Sequence, residues 1–162
     1  MGKADGAIVS ERVLSDLLVN RRARRDYIFL ETYEAGLVLT GSEVKSLREG
    51  KGQLEGAYAQ IEGGEAWLLQ ANIPIYANAT SFTARDPKAP RKLLLHKAEI
   101  RKLFGATSLK GRALIPLKLY WKNGRVKVLL GLGVGKAEHD KREELRALEA
   151  KKDIRIAMHR RR

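Results

Sequence analysis

This sequence contains no cysteine, so it has neither a disulfide framework nor a thiolate metal site. It has no apolar run near the ~18 residues that a membrane span requires. Asp5, Glu11, Arg12 and Asp16 interrupt the apolar residues near the start, which is wrong for a secretory signal. Neither end carries a lipidation motif. A cytoplasmic protein with no membrane partner is expected. The histidines His96, His139 and His159 are scattered without ligand spacing, so no metal and no other cofactor is expected. The run Gly133-Val134-Gly135-Lys136 lacks the spacing of a phosphate loop and the hydroxyl after its lysine, and reads as a hinge. Glu31, Glu34 and Glu43 could supply a carboxylate pair, but salt partners for nearby arginines are the plainer reading. No nucleophile, base and orienting group can be assembled from the rest, so an enzyme is not expected.

Acidic residues are also scarce. Nineteen Asp and Glu face 32 Lys and Arg, a net charge of +13 and a pI near 10.2. A small domain needs much less charge for solubility, and the excess repels itself in a compact chain. An anionic partner accounts for it, nucleic acid being the commonest. Four basic clusters carry the charge: Arg21 to Arg25; Lys45, Arg48 and Lys51; Arg85 through Lys92; and the C-terminal tail. Together they point to RNA or DNA contact. Tyr27, Tyr33, Tyr58, Trp67, Tyr76 and Trp121 could stack bases, though each fits a core or rim equally well.

The 162 residues allow one compact domain and an appendage, and a hydrophobic fraction of 44% allows a real core. Residues 1–19 read as an extension in which Val13, Leu14, Leu17 and Leu18 could line a helical turn or two. From 20 to 133 the chain reads as short strands. Ala57 to Ile61 and Ala66 to Leu69 form a hairpin about Gly63-Gly64, and Leu114 to Trp121 pairs with Val126 to Leu130 about Asn123-Gly124, a type I′ signal. Pro116 suggests a sheet edge. Two helices are expected. One spans Glu43 to Arg48, with Ser42 as cap and Gly50 as stop. The other spans Lys97 to Phe104, with Ile100, Leu103 and Phe104 on one face and Gly105 as stop. The fold class is mainly β, a closed antiparallel barrel of the OB type with short helices. Residues 134–162 form a basic tail of high helix propensity whose apolar residues make no single stripe. It is expected to be disordered when free and helical when bound. Its reach is roughly 40 Å as a helix, so it can probe a site away from the barrel.

Several blocks together resemble one family. They are Asn20-Arg21-Arg22-Ala23-Arg24, Glu31-Thr32-Tyr33-Glu34-Ala35-Gly36, the decapeptide from Leu39 to Arg48, Arg91-Lys92-Leu93-Leu94-Leu95-His96, the decapeptide from Pro116 to Arg125, and Asp140-Lys141-Arg142. In this order and spacing they resemble the small protein B family, the bacterial SsrA-binding proteins that partner transfer-messenger RNA in ribosome rescue. The resemblance implies a barrel gripping the tRNA-like domain of that RNA, with the positions of Asn20, Glu34 and Leu94 associated with RNA binding. Arg21, Arg22, Arg24, Lys45, Arg48, Arg91 and Lys92 join them as the expected cationic contacts. Glu34 would accept hydrogen bonds from base N–H groups, Asn20 would reach phosphate and sugar, and Leu94 would pack on an unstacked base. The plainer alternatives are a strand-pairing salt bridge, a turn residue and a core residue. The resemblance further implies that the tail enters the decoding centre and vacant mRNA channel of a stalled 70S ribosome through Gly135, Lys136, His139, Asp140, Lys141 and Arg142. The chain departs from the family pattern at Arg25, where His is usual, at Ala137, where a second Lys is usual, and at Val134, in a stretch often basic. A monomeric, non-enzymatic adaptor for trans-translation is the expected function. The rival reading is a generic single-stranded RNA-binding or ribosome-associated OB protein.

Overall fold

The computed structural model describes residues 16–77, 85–136 and 146–155. Seven strands run in chain order: β1 Asp16–Val19, β2 Tyr27–Leu37, β3 Tyr58–Glu62, β4 Glu65–Leu69, β5 Arg91–Leu94, β6 Arg112–Lys122 and β7 Arg125–Gly135. Three short helices intervene: α1 Ala23–Asp26, α2 Gly41–Arg48 and α3 Lys97–Thr107. Every pairing is antiparallel. The order β6-β3-β4-β5-β2-β7 closes through a β6–β7 pairing, so the sheet forms a ring. The long β6 has room for two partners on its other edge, β3 at Leu114 and β1 at Lys118 to Tyr120. The mainly β, closed antiparallel architecture expected from the sequence is what forms.

Both hairpins lie where their turn residues put them. Asn123 and Gly124 have φ of 53° and 72°, the positive pair a type I′ turn demands, and they set the register Lys122↔Arg125 and Tyr120↔Lys127. Alternation then sends Leu114, Leu119, Val126, Val128 and Leu130 into the ring with Leu68, Leu93 and Leu103. Pro116 stands at a register shift of the β6–β7 pairing rather than at a sheet edge. A bulge tolerates its missing N–H.

A second, smaller core lies outside the ring. Ala23 of α1 packs there on Ile115 and Leu117, with Tyr27 and Phe29 against them. Phe29 lies so close to β7 that a Cβ on Gly131 would stand 2.5 Å from its Cδ1. The Gly131-x-Gly133 spacing thus lets β7 be covered on both faces.

Four local expectations change. Leu17 and Leu18 belong to strand β1 rather than to a helical turn, because pairing with β6 satisfies their backbone. The sheet therefore starts before residue 20, and β7 runs two residues beyond 133. Thr40, not Ser42, caps α2: its hydroxyl accepts from Glu43 N–H while the Glu43 carboxylate accepts from Thr40 N–H. The Glu needed three residues after the cap selects Thr40. Helix α3 passes through Gly105 to Thr107, and only Leu103 of its expected apolar face is fully buried, Phe104 being 59% exposed. Of the tail, residues 146–155 are helical with every side chain exposed.

Candidate nucleic-acid interface

The register of four strands builds one face of the ring. On β2, Gly36 lies opposite Leu94 of β5 on one side and Lys127 of β7 on the other. Lys127 in turn lies opposite Tyr120 of β6. Glu34, two residues before Gly36, shares that face by strand alternation. The structure thus brings Glu34 and Leu94 together across 60 positions of sequence, around a cavity of about 300 Å³ also lined by Gly36, His96, Glu99 and Lys127. Leu94 is 53% exposed, so it is not a core residue. Glu34 accepts hydrogen bonds from the Tyr120 hydroxyl and from Lys122 Nζ at 3.1 and 3.2 Å. Its carboxylate is therefore oriented, and the plain salt-bridge reading of Glu34 is realised without burying it.

Two cations on α2 lie over aromatic rings. Arg48 stacks over the Trp121 ring at 4.7 Å and Lys45 over Tyr76 at 5.6 Å. Trp121, Val44, Leu94 and Lys127 line an adjoining cavity of about 210 Å³. Lys92 points outward and pairs with Glu65 at 3.2 Å. Between β2 and α3, Lys102 meets Glu31 at 3.3 Å and lies over Tyr33, whose hydroxyl donates to Glu31. The hydrogen bonds from Tyr33 and Lys102 hold the Glu31 carboxyl below its ordinary value.

Two expected contact residues are internal instead. Arg91 is fully buried. Its Nε meets Glu43 Oε2 at 2.5 Å, and its remaining nitrogens donate to the carbonyls of Ala71, Ala89 and Pro87 at 2.9, 3.1 and 2.9 Å. Strand alternation sets this: Arg91 points inward with Leu93, Lys92 outward with Leu94. Glu43, also bonded to Arg85 at 3.3 Å, is buried, which alone would raise its carboxyl. The Thr40 N–H and the two arginines outweigh burial and hold it below its ordinary value. Asn20 is likewise buried. Its Nδ2 donates to Pro116 O at 3.0 Å and its Oδ1 accepts from Ala23 N at 3.2 Å. Its side chain cannot reach phosphate in this conformation; it holds α1 in place, as the turn-residue alternative had it.

Helix α1 sits at the other end of the β2–β7 pair, where Tyr27 lies opposite Gly135. Arg21, Arg22, Arg24 and Arg25 are exposed there without an ion pair among the described residues. Gly135 and the exposed Lys136 start the tail beside them. A cavity of about 680 Å³ at this end is lined by Asn20, Arg22, Tyr27, Tyr58, Phe104 and Arg112, among others. The expected residues among those described thus fall at two ends of the β2–β7 pair. His139, Asp140, Lys141 and Arg142 lie outside the described residues.

The family model described as SmpB protein matches residues 17–160. The chain belongs to the SmpB family. An SsrA-binding protein of Thermobifida fusca is 53% identical over 143 residues, 88% of this chain and 89% of that protein. One of Thermosynechococcus vestitus is 52% identical over 149 residues, 92% and 96% of the two chains. A solved chain described under "tmRNA-SmpB: a journey to the center of the bacterial ribosome" has a TM-score of 0.62 at 52% identity, covering 74% of this chain and 83% of that one. For an SmpB-family chain the sequence reading missed Gly36, Tyr120 and Lys127. The Asn123-Gly124 turn held the signal, since its register sets Tyr120 opposite Lys127. Helix α1 was hidden inside what reads as a plain run of charge.

Proposed function

We propose that this chain is a non-enzymatic, monomeric adaptor of the bacterial cytoplasm that binds the tRNA-like domain of transfer-messenger RNA and delivers it to stalled ribosomes. The observation that carries this reading is the likeness to SsrA-binding proteins, about half the positions identical over roughly nine tenths of both chains. The ring is an OB-type barrel in this reading. Its Glu34–Leu94 face recognises RNA by shape and by unpaired base edges, together with Lys45, Arg48 and Lys92. Arg21, Arg22 and Arg24 add phosphate contacts, while Asn20 and Arg91 act from within by holding α1 and β5. The tail, from Gly135 and Lys136 through His139, Asp140, Lys141 and Arg142, reads the empty decoding site and mRNA channel. A two-ended body suits this division, because the RNA-gripping face and the tail leave the ring at opposite ends of β2 and β7.

The test is a titration against transfer-messenger RNA, elongator tRNA and an unstructured RNA of equal length at several salt concentrations. A preference for transfer-messenger RNA that survives rising salt is the expected result. Equal binding to all three, lost together as salt rises, would mean a merely cationic surface and a generic RNA binder.

A further inference from the structure

We propose that the large cavity beside the root of the tail binds a free nucleoside monophosphate, a flat ring carrying a phosphate monoester. It lies at the other end of the β2–β7 pair from Glu34, and the inference does not depend on the transfer-messenger RNA reading. Strand register assembles the cavity. Tyr27 lies opposite Gly135 on one edge of β7, and Arg112 lies opposite Val134 on the other. Arg22 enters from the start of α1, Phe104 from α3 and Tyr58 from β3. The volume of about 680 Å³ falls in the middle of the range for small-molecule sites.

The charge calls for an anion. Arg112 Nε is buried and has no hydrogen-bond partner among the described residues. A buried donor without an acceptor is costly to keep, and a ligand oxygen removes that cost. Nε and the adjacent Nη make up the fork with which arginine grips phosphate by two parallel bonds. Arg22 lines the same cavity without an ion pair among the described residues, so a second guanidinium is present. Two such cations suit a phosphate monoester, which carries nearly two charges at neutral pH, better than the singly charged diester inside an RNA chain. The rings call for a flat partner. Phe104 and Tyr58 are 59% and 41% exposed although each has a large ring to cover. A base stacked there shields that surface, and such stacking works with any base. Asp26, exposed and also lining the cavity, accepts hydrogen bonds from ribose hydroxyls.

The experiment is isothermal titration calorimetry of the full-length chain at fixed ionic strength with four probes. They are guanosine monophosphate, guanosine, inorganic phosphate and an RNA tetramer with a 5′-hydroxyl, whose phosphates are all internal diesters. The monophosphate should bind about tenfold or more tighter than each of the others, the scale of charge-assisted hydrogen bonds. Arg112→Gln should weaken it about tenfold by removing the phosphate fork, and Phe104→Ala about fivefold by removing a stacking face. Lys110→Gln takes the same charge from an exposed site outside the cavity and should change affinity less than about twofold. No saturable binding of the monophosphate overturns the site. Inorganic phosphate binding as tightly, with both lost together as salt rises, reduces it to a cationic surface. A tetramer that binds as tightly shows that the cavity takes RNA chains and overturns the free-nucleotide assignment. Unchanged affinity in both Arg112→Gln and Phe104→Ala proteins that melt like wild type puts the ligand elsewhere. The probe series uses unmodified protein, so it decides even where a variant fails to fold. The adaptor reading is tested separately, by the RNA titration, and survives any of these failures.

Discussion

Replacing Arg91 by methionine should destabilise the fold without touching the RNA face directly. The arginine is fully buried, and its side chain binds the Glu43 carboxylate and three backbone carbonyls. Methionine fills part of the volume but leaves Glu43 buried, with only Thr40 N–H and a longer contact to Arg85. Breaking a buried ion pair from one side costs about 3–5 kcal/mol. The surviving Arg85 contact argues for the lower half of that range. At roughly 3–4 °C per kcal/mol for a domain of this size, the melting temperature should fall by roughly 10–15 °C. The assay is thermal and urea unfolding by circular dichroism at neutral pH, with RNA titration well below the melt. Removing Glu43 as well, in a Glu43→Gln Arg91→Met double variant, should recover part of the loss. The pH dependence has a definite sign. The Glu43 carboxyl is lowered in the folded state, so its contribution is complete above its ordinary value of 4.5 and fades as pH falls through the folded value. The gap between wild type and Arg91→Met should therefore narrow in acid. A variant that melts within about 2 °C of wild type but binds RNA more weakly, with a shallower salt dependence, would refute this reasoning and restore Arg91 as a phosphate contact.

Other outcomes follow from the same geometry. Glu34→Ala should weaken transfer-messenger RNA binding about tenfold at matched salt; it also takes an acceptor from the buried Tyr120 hydroxyl and should cost about 1–3 kcal/mol in urea unfolding, so affinity is read well below the melt, and unchanged affinity would remove Glu34 from the interface. Truncation after Val134 keeps nearly all of β7, so RNA affinity should persist while peptide tagging on stalled ribosomes disappears. A truncated chain that still tags would end the tail's assigned role. Asn20→Ala removes both side-chain bonds that fix α1 and should cost about 1–2 kcal/mol in urea unfolding, with RNA affinity falling less than for Glu34→Ala. Gly131→Ala drives a Cβ against Phe29 and should cost about 1–3 kcal/mol, and Phe29→Leu in the same chain should return part of it.

The parts legible in the sequence are those governed by local chemistry. Asn123-Gly124 and Gly63-Gly64 fix their hairpins because few other residues accept those backbone angles, and from the first of them the face holding Tyr120 and Lys127 can be counted out. The helix at 41–48 was legible in place, but its cap depended on which hydroxyl stands three residues before a glutamate. What stayed hidden was non-local. An arginine in a basic run reads as surface, since arginine is seldom buried unless paired, and the pairing that buries Arg91 comes from Glu43, 48 positions away. Asn20 reads as a polar contact because its partner Pro116 is 96 positions off. The meeting of Glu34 with Leu94 came from the family likeness; nothing in their own spacing reveals it.

The long β2–β7 pair has one more consequence. It joins the Glu34 face to the end where α1 and the tail begin, a separation of roughly 23 Å over the seven residues from Glu34 to Tyr27. Side chains alternate along a strand, so adding one residue to both strands would turn everything beyond it inside out, sending Leu130-like positions to solvent and Lys127-like ones to the core. Away from the register shift at Phe29/Glu31, where β2 already carries one extra residue, the distance between the two working ends keeps its faces only in paired steps of about 6.6 Å. The molecule is a ruler with coarse graduations, and relatives with a different span would have to skip a whole mark to remain folded.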